Sequence, residues 1–183
     1  FPAESEALLN IPKILSSDNK KFLSEIIISL IKKLSDDKLS ILIQEVEEFI
    51  GPMGEIITDQ APWLTWDKII EMSEHNIYFG PHTHNHVILT NVTTEKAENE
   101  IISSIQTLSS YFKSRPTIFS YPNGNYNDNI ISILRDHGIR IAVTTRNGTV
   151  NQSGSLLTLR RIMIHNDMTS TLPLFICKIK GII

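Results

Sequence analysis

An α/β fold with a parallel sheet is the class that this sequence predicts, and two observations predict it. From residue 61 onward, short runs of β-branched and aromatic residues alternate with runs of helical periodicity. Turn-forming residues or helix caps separate these runs. The 183 residues suffice for one domain with a sizeable core. Hydrophobic residues make up 41% and charged residues 20%, an ordinary balance for a globular protein.

Residues 1–10 read as irregular. Helical patterning starts at Ser17, with Phe22, Ile26, Leu30 and Leu34 four apart. A second helix carries Leu39, Leu42, Ile43, Val46, Phe49 and Ile50 on one face and ends at Gly51-Pro52. Residues 51–62 read as a connecting loop. Thr65 is the expected cap of a short helix running to about Glu74, with Asp67 in its first turn. Ile77-Tyr78-Phe79 reads as a short buried strand. Residues 93–112 predict a long helix with Ala97, Ile101, Ile105, Leu108 and Phe112 on one stripe. Thr117 to Tyr121 predicts a strand closed by Pro122-Asn123-Gly124. Asn127 should cap a helix carrying Ile130, Ile131 and Leu134, with Gly138 just past its end. Strands are expected at Ile139 to Thr145 and Leu157 to Ile164, and a final helix after Thr171. The expected division is a helical insertion or lid over 1–60 and an α/β part over 61–183.

The net charge of -3 gives no reason to expect nucleic acid. The charge is uneven: residues 1–60 carry 6 basic and 11 acidic side chains, and residues 61–183 carry 11 and 9. Cys177 is the only cysteine, so no internal disulfide forms. No apolar run approaches the roughly 20 residues of a membrane span, and no signal peptide is visible. The chain begins at Phe1 rather than Met, which suits a processed product or a piece of a longer protein.

Three of the six histidines fall within Gly80-Pro81-His82-Thr83-His84-Asn85-His86. Imidazoles packed this closely suit a bound divalent metal. In an extended segment all three would face one side. In a helical turn, His82 and His86 would share a face and His84 would point elsewhere. Pro81 and Asn85 suit a strand end passing into a turn, which favours the pair. Two histidines leave room for a third protein ligand and a water, the open arrangement of a catalytic site.

The segment from His82 to His86, followed by Leu89-Thr90, resembles the His-Ser/Thr-x-x-His motif of the polysaccharide deacetylases with the NodB-homology fold (carbohydrate esterase family 4). Leu64-Thr65-Trp66-Asp67 resembles the helix start before it. Phe119 to Tyr126 resembles the next motif, and Ala142 to Thr145 the strand after that. The helical segment at 17–50 resembles an insertion that some bacterial members carry. The resemblance implies a distorted, incomplete (β/α) barrel and metal-dependent hydrolysis of amide bonds, removing N-acetyl groups from N-acetylhexosamine units of a polysaccharide, an oligosaccharide or its precursor. His82 and His86 would be the metal ligands, for zinc or a similar divalent ion. The backbone N–H of Asn123 is in the matching place to hold an oxyanion. His165 matches the family's late histidine, the proposed general acid.

The chain departs from the family pattern at several points. The Thr-Phe-Asp-Asp-Gly motif that supplies the base and third ligand has no counterpart in these residues. Asp36-Asp37 is the nearest paired aspartate, and a solvated helix start explains it. Ser120 stands where many members have an arginine. The alternative reading is therefore a non-catalytic deacetylase-like module that binds carbohydrate or metal, or an inactive fragment. His75 and His137 are expected on helices as solvated or capping residues, and Trp63 and Trp66 as groups that pack the core or cover the mouth of the barrel rather than stack on sugar. Strand edges left exposed are expected to favour a homo-oligomer.

Overall fold

The structure is a computed structural model and describes residues 17–50, 63–112, 114–150 and 154–182, with side chains from Ser24 to Glu48 in the first stretch. The chain divides into two compact units, one ending at Pro62 and one beginning at Trp63. In the first, helix α1 spans Ser17–Ile31 and helix α2 spans Asp36–Ile50. Asp36 and Asp37 occupy the first turn of α2, where acidic side chains complement the helix dipole. The expected stripe on α1 is displaced by one residue at two positions: Ile26 and Leu30 are exposed while Ile27 and Ile31 are half-buried, and Leu34 is half-buried as expected. Ile27 and Ile31 are also four apart, so the spacing alone could not choose between the two rows.

In the second unit, α3 (Trp66–Glu74) starts at Thr65, whose hydroxyl accepts from the Lys68 N–H. Helix α4 (Thr94–Tyr111) starts at Thr93 in the same way. Strand β1 (Ile118–Ser120), helix α5 (Asp128–Asp136) and strand β2 (Ile141–Asn147) make a parallel strand–helix–strand unit. Strand β3 (Leu159–Arg161) adds on the far side of β2, also parallel, with a register irregularity between Val143 and Asn147. The order is β1-β2-β3. Two further helices, α6 (Asn166–Thr169) and α7 (Leu172–Ile179), close the described chain.

One core joins these elements. Ala97, Ile101 and Ile105 come from α4, Phe119 from β1, Ile130, Ile133 and Leu134 from α5, and Ala142 from β2. Gly138 ends the turn after α5 at φ 83, in the left-handed region that favours glycine, and its N–H donates to the Arg135 carbonyl. Among the described residues, no helix is long and apolar enough to cross a membrane.

Two expected strands are corrected. Residues 77–79 are not a buried strand: Tyr78 is 87% exposed and Ile77 43%. Two residues further on, the Pro81 carbonyl accepts from the Ser120 N–H at 3.1 Å, and Pro81 has no N–H to return. The expected strand from Leu157 to Ile164 shrinks to β3, because Leu156–Thr158 form a 3-10 turn capped by Ser155.

Candidate functional site

The C-terminal end of β1 runs directly into the candidate site. The Ser120 carbonyl accepts a hydrogen bond from His82 Nδ1 at 2.6 Å. A carbonyl only accepts, so this contact places the ring proton on Nδ1 and leaves the Nε2 lone pair free. That is the usual outer-shell arrangement of a metal-ligating histidine. The His86 ring lies edge-on to the His82 ring, with centroids 4.7 Å apart.

The structure brings this pair together without a helical turn. Residues 80–88 are irregular, and both Thr83 (φ 66) and His86 (φ 57) adopt the left-handed conformation. These two reversals fold the loop back on itself. His84 turns its side chain to solvent, while its N–H donates to Glu100 Oε2 at 2.9 Å. The Asn85 N–H donates to the same oxygen at 2.7 Å, and Asn85 Nδ2 donates to Oε1 at 2.7 Å. Sequence reasoning missed Glu100. Its signal was an acidic residue beside Ala97 and Ile101 on the buried stripe of α4.

Asn123 lies three residues beyond Ser120, at φ 56 with Gly124 at φ 81. Asparagine and glycine are the residues that tolerate such a turn best. The Thr145 hydroxyl donates to the Asn123 carbonyl at 3.0 Å, and the Gly124 N–H to the Tyr121 carbonyl at 3.0 Å. A Cβ at Gly124 would meet the Thr145 side chain and lie 2.6 Å from its backbone N. The turn is thus fixed against β2, with Asn123 half-buried.

His165 sits apart, as the residue preceding α6. It is partly exposed, and its Nδ1 lies 3.8 Å from the exposed Asp167 carboxylate. Among the described residues, no third His, Cys, Asp or Glu joins His82 and His86 in a group able to hold a metal. The donor chemistry of the pair fits a divalent ion as two of its protein ligands. Thr83 Oγ1, buried between them in the sequence, has no hydrogen-bond partner among the described residues. His75 and His137 terminate α3 and α5. His137 also contacts Glu98 of α4 at 2.8 Å, a pairing between residues 39 apart that no local pattern signals. Trp66 stacks on Tyr111 at 3.8 Å, whereas Trp63 is 80% exposed and so does not pack in the core.

Against this geometry, the sequence pattern of the polysaccharide deacetylase family matches residues 42–142, more than half of the chain. The chain belongs to that family. It is 28% identical over 108 residues to YxkH of Bacillus subtilis (strain 168), whose name marks it as a candidate polysaccharide deacetylase; the match covers 59% of this chain and 39% of YxkH. Among solved structures it resembles the Streptococcus pyogenes deacetylase PplD in complex with acetate, at 30% identity and TM-score 0.55, over 57% of this chain and 46% of that one. The polysaccharide deacetylase BC0361 of Bacillus cereus shares the fold at TM-score 0.57 and 21% identity, over 78% of this chain and 48% of that one. The chain therefore spans about two fifths to one half of the length of these relatives. The NodB-type α/β fold expected from the sequence is the fold of these structures.

Proposed function

We propose that this chain carries the histidine half of a metal-dependent deacetylase that removes N-acetyl groups from N-acetylhexosamine units of a polysaccharide or oligosaccharide. One observation carries the reading: two imidazoles side by side at the end of β1, one of them held by a backbone carbonyl so that its Nε2 is free. His82 and His86 would hold zinc or a similar divalent ion, which supplies Lewis-acid polarisation of the acetyl carbonyl and activation of water. The Asn123 N–H, on its fixed left-handed turn, is the donor for the developing oxyanion. His165 is the candidate acid that gives a proton to the leaving amine nitrogen as the C–N bond breaks. The base and the third ligand fall to carboxylates outside these four residues.

Metal content of the purified chain, measured by elemental analysis, tests the assignment. About one zinc or cobalt per chain is expected, lost in His82→Ala/His86→Ala and kept in His84→Ala. Metal retained by the double variant, or equal loss in all three variants, would refute the pair as ligands. The activity is tested in the full-length protein by acetate release from an N-acetylglucosamine oligomer. A His82→Ala protein that releases acetate at the native rate would refute the catalytic reading.

A further inference from the structure

We propose that Glu100 is the positioning residue of the histidine pair, its carboxylate holding the loop in the conformation that sets the two rings side by side. This rests on the reading of His82 and His86 as metal ligands, but its geometric content stands without a metal.

Three observations lead to it. Glu100 is 6% exposed on the apolar face of α4, where a carboxylate persists only if its oxygens are hydrogen-bonded. Among the described residues, its three donors come from two adjacent loop residues: the His84 N–H, the Asn85 N–H and Asn85 Nδ2, at 2.7–2.9 Å. Those residues lie between Thr83 and His86, the two left-handed positions of the loop. Non-glycine residues stay in that region only when their surroundings over-determine it. The loop is therefore tied at two places, to β1 through Ser120 and to α4 through Glu100. A carboxylate serving only its own helix would not spend both oxygens on the peptide midway between two histidines.

The arrangement predicts different results for two substitutions. In Glu100→Gln the carbonyl oxygen takes over both backbone donors, and the new amide faces Asn85. Rotating the Asn85 amide then presents its oxygen, so all three contacts can re-form. In Glu100→Ala none can.

The test is zinc titration by calorimetry on the whole chain, beside NMR of the metal-free protein. The NMR observables are amide exchange at His84 and Asn85 and the ring-to-ring Overhauser effect between His82 and His86. Glu100→Ala is expected to weaken zinc binding roughly 10–100-fold, in line with other outer-shell losses. It should also expose both amides and abolish the ring contact, whereas Glu100→Gln stays near native in all three. Native zinc affinity and ring contact in Glu100→Ala, or equal damage in Glu100→Gln, overturns the proposal. If Glu100→Ala fails to fold, Asn85→Ala decides. It removes one contact and leaves α4 intact, so a weakened ring contact supports the clamp and a native one overturns it. If the native chain binds no zinc, the ligand assignment fails, while amide exchange and the ring contact still decide the role of Glu100.

Discussion

Tyr121 shows how a single side chain links the strand end to the core. It is 1% exposed, its hydroxyl donates to the Leu157 carbonyl at 2.8 Å, and its ring packs against Phe119 and Tyr126. Burial raises its pKa well above the usual phenol value of 10.0, with a smaller contribution from Tyr126. The folded chain therefore keeps a proton that the unfolded chain releases above pH 10. The stability this supplies is complete below pH 10 and declines as pH rises toward the folded-state pKa, by up to about 1.4 kcal/mol per pH unit. Tyr121→Phe should lose roughly 1–3 kcal/mol at neutral pH, from the unpaired Leu157 carbonyl. Its unfolding free energy should then fall less steeply above pH 10 than that of the native chain. Denaturant titrations at several alkaline pH values make the comparison; identical slopes would show that Tyr121 is not responsible.

At the scale of elements, caps do much of the specification. Helix α5 has only nine residues, too few to be stable in isolation. It persists because Ile130, Ile133 and Leu134 are buried and because Asn127 Oδ1 accepts from the Ile130 N–H at 3.0 Å. Asn127→Ala should cost about 1 kcal/mol, seen as a lower denaturant midpoint, and Asn127→Asp should preserve it. An unchanged midpoint in the alanine variant would assign α5 wholly to its buried face. These caps were legible in the sequence because a side-chain oxygen three residues before a free N–H is a local signal. The routes of the loops were not. That the His82 and His86 rings stand side by side was expected, but from a helical turn that the structure does not contain. The means, two left-handed residues and a carboxylate from α4, could not be read from the sequence, since Thr83 and His86 carry no mark of positive φ and Glu100 is 14 residues from His86 in the chain. The strand at β3 was legible but its limits were not, as Leu156 to Thr158 are as apolar as a strand but turn around the Ser155 cap.

At the scale of the whole molecule, the open side of β1 is the feature with physical consequences. Among the described residues, the Pro81 carbonyl makes the one backbone bond to β1 on this side, and Ile77, Tyr78 and Ile118 are 43%, 87% and 46% exposed. Next to them lies a groove of about 750 Å³ lined by Phe79, Tyr111, Phe112, Arg115 and Arg140, among others. Exposed apolar side chains beside backbone groups that lack a full ladder are a template for association between copies. The periodicity of the sequence could not reveal this, since Ile77-Tyr78-Phe79 has the composition of a strand covered on both faces. Among the described residues it has no ladder partner, and pairing is a property of the assembled sheet. The chain is expected to self-associate as its concentration rises, with sedimentation velocity showing a growing weight-average mass. The double variant Tyr78→Lys/Ile118→Lys should shift the equilibrium toward monomer, because two like charges on this edge oppose pairing with a second copy. A native chain that sediments as a monomer across the concentration range, or a double variant that associates as strongly as the native chain, would show that this edge is not where copies meet.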